Sequence, residues 1–266
     1  MPEITEGTLK GGLPFLRVGR GRPLVYLAGF SPAHENPSGV ARRIALRTIR
    51  PFVRAGYQVY FVNRAPGIPL GTSFADIAAG HAAAIADQFP APIDLLGHST
   101  GGSLVLQLIA DHPRLVRKAV VASAAYRLGP VAKRAQLELM RNLNADGSFR
   151  APSMVEGFTR NATLQRILSL PLSLSSAVTT VKHPADPAAL LWAEDGFDVY
   201  DRLGSIATET LVICGARDYF YTPELFTDTA ELMPRARLVM YPRAGHSIVT
   251  KKQFFADVLN FLADYG

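Results

Sequence analysis

Short apolar runs alternate with amphipathic stretches through the first half of the chain. Leu24-Val25-Tyr26-Leu27, Tyr57-Gln58-Val59-Tyr60-Phe61-Val62, Ile93-Asp94-Leu95-Leu96 and Ala119-Val120-Val121-Ala122 have the length and side-chain character of buried strands. Between them the apolar period lengthens to that of a helix: one helix ends near Arg54-Ala55-Gly56, an Ala-rich one covers 74–89, and a third runs from about 100 to 110. Strands that alternate with helices imply right-handed crossovers and a parallel sheet covered on both faces, which is the α/β class. Upstream, residues 8–10 and 13–18 read as two strands joined through Gly11-Gly12, an antiparallel hairpin at the sheet edge.

From Tyr126 to about Asp201 the alternation stops. Helical patterns at 131–143 and 164–168 stand among Ser- and Pro-rich loops, with no convincing strand. The alternation resumes with Thr210-Leu211-Val212-Ile213-Cys214, a helix near 223–232, Arg237-Leu238-Val239-Met240 and a terminal helix from about 252 to 263. The pattern therefore predicts one core built from 1–125 and 202–266, with 126–201 inserted into it. The length of 266 residues corresponds to about 1.8 average domains, which a core plus insertion accommodates.

Composition narrows the chemistry. Lys+Arg 28 against Asp+Glu 22 gives +6, with 48% hydrophobic and 19% charged residues, a globular balance that excludes disorder and fibrous folds. The basic excess raises a nucleic-acid partner, but Arg42, Arg43, Arg47, Arg50 and Arg54 fall at helical spacings beside Ile44, Leu46, Ile49 and Phe52. That is a solvated helix face, so no nucleic-acid partner is expected. Cys214 is the single cysteine and sits inside a predicted strand as a core thiol, which excludes disulfide frameworks and multi-cysteine metal sites. No leader pattern and no apolar run long enough to span a bilayer are present, so a cytoplasmic protein without stable membrane anchoring is expected. Neither a G-x-G-x-x-G pattern nor a P-loop occurs, and His81, His112 and His183 lack partners at metal-ligand spacing, so neither cofactor nor metal is expected.

Gly97-His98-Ser99-Thr100-Gly101 matches G-x-S-x-G. The pattern alone is only moderately specific; its place directly after a predicted strand and before a predicted helix sharpens it. A serine on so tight a turn needs neighbours without side chains, which Gly97 and Gly101 supply. Here the sequence resembles the α/β-hydrolase superfamily, and the likeness spans nearly the whole chain. In that family an acid and then a histidine follow the nucleophile, each on a loop after a later strand. Gly215-Ala216-Arg217-Asp218 resembles the acid loop and Gly245-His246 the histidine loop. The resemblance implies that Ser99 is the nucleophile, that His246 takes and returns its proton, and that Asp218 fixes the imidazole tautomer. It implies an oxyanion hole made by the backbone N–H groups of Thr100 and Phe30. The sequence departs from the family at Ala28, where many members carry histidine.

The resemblance also makes 126–201 a helical lid. Leu164, Ile167, Leu168, Leu170, Leu172 and Leu174 are too apolar for one exposed helix and read as packing on the core or walling an apolar substrate cavity. Trp192 and Phe197 either join that wall or anchor the lid. His34, in the loop after the candidate oxyanion strand, reads as a surface residue, with a place at the pocket mouth as the alternative; His98 reads as packing beside the turn.

The expected function is a serine hydrolase acting on a small-molecule carboxylic ester, or related acyl substrate with an apolar portion, through acyl-Ser99. Thioesterase, lactonase, carbon-carbon hydrolase and haloperoxidase-like chemistries remain open, as does a non-enzymatic ligand-binding role. Asp195 and Asp198 are the reserve candidates for the acid. The sequence does not reveal an oligomeric state.

Overall fold

The computed structural model describes residues 3–90, 92–174 and 181–263. Its strands are β1 (Ile4–Leu9), β2 (Leu13–Val18), β3 (Arg22–Leu27), β4 (Tyr57–Val62), β5 (Ile93–His98), β6 (Val116–Ala122), β7 (Glu209–Gly215) and β8 (Ala236–Tyr241). The helices are α1 (Gly39–Arg54), α2 (Phe74–Gln88), α3 (Thr100–Asp111), α4 (Pro130–Asp146), α5 (Ala162–Leu174), α6 (Ala185–Asp195), α7 (Pro223–Glu231) and α8 (Lys252–Leu262).

The eight strands form one sheet in the order β1-β2-β4-β3-β5-β6-β7-β8. The β1–β2 and β2–β4 pairs are antiparallel and every other pair is parallel. The expected edge hairpin is present, its turn a single 3-10 turn at Lys10–Gly12 with Gly11 and Gly12 both at positive φ. The chain runs from β3 outward to β4, then returns to place β5 on the other side of β3. Connections that diverge from adjacent strand ends leave a crevice there, and it lies between the loops after β3 and β5.

Alternation along each strand divides the core in two. Val25 and Leu27 of β3, Leu95 of β5, Val121 of β6 and Val212 of β7 pack with α2, α3 and α7. Their neighbours Leu24, Tyr26, Leu96, Val120 and Ile213 point the other way and pack with α1 and α8. Successive side chains leave opposite faces of a strand, so strands apolar at every position need helices on both sides.

Among the described residues of 126–201 no strand forms beyond an isolated bridge between Arg127 and Asp198, and the stretch carries α4, α5 and α6. Leu139 and Leu143 of α4 pack with Ala188 and Leu191 of α6 in an apolar cluster of their own. The leucines of α5 do not pack as expected: Leu164 (41% exposed), Ile167 (62%), Leu168 (41%) and Leu170 (60%) face outward. The side chains at 172 and 174 lie outside those described. Phe197 is buried against Phe74, while Trp192 is half exposed.

The expected apolar face of α1 needs one correction. Ala45, Ile49 and Phe52 are buried, whereas Ile44 is 60% exposed and shares the solvent side with the arginines. Ile44 stands five residues before Ile49, a separation of about 500° that rotates it well away from the buried stripe. Ile49→Ala is expected to lower the unfolding free energy by about 2–5 kcal/mol. Ile44→Ala is expected to change it by less than about 0.5 kcal/mol. Urea denaturation of the two variants checks this.

Candidate active site

Ser99 occupies the first position after β5, with φ 56° and ψ −128°. A non-glycine residue in this conformation is strained and persists only where its surroundings hold it. Its N–H donates to the Ala122 carbonyl at 2.9 Å, and its own carbonyl accepts from Gly102 N–H at 2.6 Å and Ser103 N–H at 3.1 Å. A Cβ on Gly97 would collide with the Gly101 backbone, and one on Gly101 with the carbonyls of Leu27 and Ala28. The sharp turn therefore exists only because the two glycines let strand, turn and helix touch backbone to backbone.

The turn aims Ser99 at His246. The Ser99 Oγ lies 3.0 Å from His246 Nε2, and His246 Nδ1 lies 2.8 Å from Asp218 Oδ2. An ionised carboxylate only accepts, so Nδ1 carries the proton and Nε2 is left to accept from the serine hydroxyl. The Asp218 side chain is fully enclosed, and its other oxygen accepts from Phe220 N–H at 3.1 Å. The acid and histidine loops meet as closely as the serine turn does: a Cβ on Gly215 would strike the Ala244 carbonyl, and Arg217 N–H donates to that same carbonyl at 2.8 Å. The reserve acids lie elsewhere, Asp195 paired with Lys133 and Asp198 with Arg127.

Two further side chains, one of them expected only to pack beside the turn, hold the histidine loop. Ser123 Oγ donates to the His246 carbonyl at 2.8 Å, and His98 Nε2–H donates to it at 3.1 Å. Ser123, like Ser99, follows a strand end with positive φ, 50°. His98 thus does more than pack beside the turn. Burial pushes its imidazole down to about 3, so it remains a neutral donor throughout the ordinary pH range. His34 is a second correction, since it is buried, 5% exposed, with Nδ1 donating to the Ala65 carbonyl at 3.1 Å.

A cavity of about 80 Å³ lies at Ser99 and His246. Phe30, Ala132, Leu139, Met154, Phe158, Leu191 and Phe220 give it apolar walls, and Gln136 and Thr100 add polar groups. Phe30 and Thr100 thus both border the space next to Ser99, where the sequence places an oxyanion hole. Beneath the cavity, Glu194 of α6 is fully buried; its Oε2 accepts from Thr100 Oγ1 and Gln136 Nε2, both at 2.9 Å. Burial raises its carboxyl above the usual range. Cys214 is a buried thiol pushed upward by burial, in keeping with a core residue. Among the described residues no group of three His, Cys, Asp or Glu stands close enough to hold a metal ion, and no helix is long and apolar enough to cross a membrane.

Residues 24–258 match the family model described as "Alpha/beta hydrolase family". The chain belongs to that family. This hydrolase is 25% identical to a 2-hydroxy-6-oxononadienedioate/2-hydroxy-6-oxononatrienedioate hydrolase from a Pseudomonas species, over 98% of this chain and 95% of that protein. Among solved structures, an alpha/beta hydrolase enzyme from a Medee basin deep-sea metagenome library superposes with a TM-score of 0.73 at 20% identity, covering 100% of this chain and 94% of the other. The enol-lactonase from Burkholderia xenovorans LB400 does so with 0.71 at 19% identity, covering 98% and 100%. At such identities the solved structures establish the fold of this hydrolase alone.

Three buried histidines predict how its stability depends on pH. His34 and His81 are pushed down to about 4 and His98 to about 3, each mainly by burial. An unfolded histidine titrates near 6.5, so between about 6.5 and 4 the unfolded chain binds more protons and stability falls as pH falls. Each histidine contributes at most about 1.4 kcal/mol per pH unit in that window. His81→Phe is expected to flatten the loss between pH 6.5 and 4.5 by up to that slope, read from urea midpoints.

Proposed function

We propose that this hydrolase cleaves small carboxylic esters, or related acyl substrates with a short apolar acyl portion, through an acyl-Ser99 intermediate. The observation that carries the reading is the unbroken chain Ser99–His246–Asp218 at the wall of a small apolar cavity. In this reading 126–201 acts as the lid, supplying Leu139, Met154, Phe158 and Leu191 as walls over the serine.

The chemistry follows from the proton inventory. His246 Nε2 takes the hydroxyl proton as Ser99 Oγ attacks the ester carbonyl, and Asp218 balances the imidazolium that results. The carbonyl oxygen becomes negative and is met by the Thr100 N–H, in the first turn of α3 where helix donors lack helical partners, and by the Phe30 N–H. Collapse expels the alkoxide, which receives the proton from His246, and leaves acyl-Ser99. A water activated by the same imidazole then releases the acid and restores the serine.

Pocket size and charge narrow the substrate. Ligand cavities of about 300–1,000 Å³ are usual for drug-sized molecules, and this one is far smaller. No Lys or Arg lines it, so a substrate with the two carboxylates named for the Pseudomonas relative meets no counter-charge there. A simple short acyl group fits best.

With p-nitrophenyl esters of increasing acyl length, kcat/KM is expected to be highest for the shortest acyl groups and to fall steadily as the chain grows. Ser99→Ala should remove turnover by about 10⁶-fold and abolish labelling by a fluorophosphonate. Equal labelling of wild type and Ser99→Ala contradicts the nucleophile assignment.

Asp218→Asn preserves the shape but offers the imidazole a donor or the wrong tautomer. It is expected to lower kcat by about 10⁴-fold with KM little changed. Full activity in this variant moves the acid to another carboxylate.

A further inference from the structure

The loop that follows β3 has no regular structure, yet two consecutive residues beyond the neighbouring strand β4 hold it along its length. Asn63 Nδ2 donates to the carbonyls of Ala33 at 2.8 Å and Glu35 at 2.9 Å, and Asn63 Oδ1 accepts from Arg64 N–H at 2.9 Å. Arg64 then reaches the start of the loop. Its Nη1 donates to the Ala28 carbonyl at 2.6 Å and its Nη2 to the Gly29 carbonyl at 2.9 Å. The side chain is 1% exposed. A buried guanidinium is costly unless its donors are used, and this one spends both terminal nitrogens on two successive carbonyls of one loop.

The geometry of the peptide bond turns that grip into an aiming device. The Gly29 carbonyl and the Phe30 N–H belong to one planar trans unit and point in opposite directions. A donor that fixes the carbonyl on one side therefore fixes the N–H on the other. Gly29 lies against the nucleophile, since a Cβ on it would stand 3.6 Å from Ser99 Cβ, and Phe30 borders the cavity beside Ser99. The carbonyl of Ala28 is also the surface on which Gly101 of α3 rests. Arg64 thus touches the one backbone segment whose orientation decides whether a second N–H faces the reacting oxygen.

We propose that Arg64 is a positioning residue for acyl transfer: by holding the Ala28 and Gly29 carbonyls it directs the Phe30 N–H at the oxygen that becomes negative when Ser99 attacks. The inference rests on the reading of Ser99 as nucleophile and Phe30 as oxyanion donor. Two parallel donors in a rigid fork are a property of arginine; a lysine ammonium is a point charge on a flexible stem and cannot bracket two successive carbonyls in the same way. Burial lowers the guanidinium to about 10 while the charge of Glu194 opposes that shift, so Arg64 stays protonated wherever the enzyme is folded and active.

The test compares wild type with Arg64→Lys and Arg64→Gln, each rate normalised to the Ser99 sites that a fluorophosphonate titrates. The substrate is p-nitrophenyl acetate, and the second probe is a trifluoromethyl ketone, whose adduct with Ser99 carries the oxyanion. Loss of one preorganised oxyanion donor is worth about 10²–10³ in kcat. Arg64→Lys and Arg64→Gln are therefore expected to lose about 100-fold in kcat with KM within a few-fold, and to lose trifluoromethyl ketone affinity in parallel with kcat/KM. A purely structural arginine predicts a lower melting temperature with kcat per titrated site unchanged. That result overturns the proposal, as does loss of folded protein in both variants with normal kcat in the fraction that remains. If wild type neither hydrolyses the ester nor labels at Ser99, the nucleophile reading fails and the proposal with it. If wild type is active and both variants match it, only the role of Arg64 falls.

Discussion

Everything in the candidate site depends on backbone meeting backbone at Ser99 with no side chain between. The strained φ of 56° is sustained because Gly97 and Gly101 let β5, the turn and α3 close on one another, and because Gly101 lets the helix rest on the carbonyls at the end of β3. A methyl group at Gly97 would push the helix away from β5, and one at Gly101 would push it away from β3. The serine would then lose its aim, and the Thr100 N–H would lose its place beside the neighbouring loop. The same economy recurs where Gly215 meets the Ala244 carbonyl, which sets the spacing of the acid and histidine loops. The side chains of the candidate site are thus arranged by the absence of side chains around them.

Where backbones do not touch, buried polar groups fill the gap. His98 and Ser123 hold the His246 carbonyl, Asn63 and Arg64 hold the loop after β3, and Glu194 ties α6 to Thr100 and Gln136. Each of these groups is expensive to bury; the first four serve irregular segments at one end of the sheet, and Glu194 joins three helices there. Regular structure satisfies its own backbone; loops that must present groups to a substrate require outside partners. Arg64 and Glu194 are both fully buried in this region, and the nearby Glu194 opposes the downward push of burial on the guanidinium.

Much of this was legible in the sequence, for identifiable reasons. Strands β3 to β8 announce themselves because they are apolar on both faces, and the hairpin because Gly11 and Gly12 leave it few alternatives. Ser99, Asp218 and His246 stand out because each follows a strand within a glycine-bearing turn, and the turn is what the chemistry demands. Helix α6 escaped because Ala185–Asp195 is buried over most of its circumference, which erases the 3.6-residue alternation that marks a helix with one wet side. Arg64 and Asn63 escaped for a topological reason. Their loop borders the one after β3 only because β4 pairs with β3 on the far side from β5, an order no local pattern encodes. The leucines of α5 misled because a count of apolar residues says how much surface a helix could bury, not whether a neighbour exists to bury it.

The apolar cluster of α4 and α6 is separate from the two clusters that clamp the sheet, yet Leu139 and Leu191 belong both to it and to the cavity wall. The wall also takes in Ala132, Ala135 and Phe220, which belong to the cluster on the sheet, so the space beside Ser99 is bounded by both clusters. A change of volume at Leu139 or Leu191 therefore reaches the cavity through the helical cluster, whereas one at Phe220 acts on a residue whose N–H also holds Asp218.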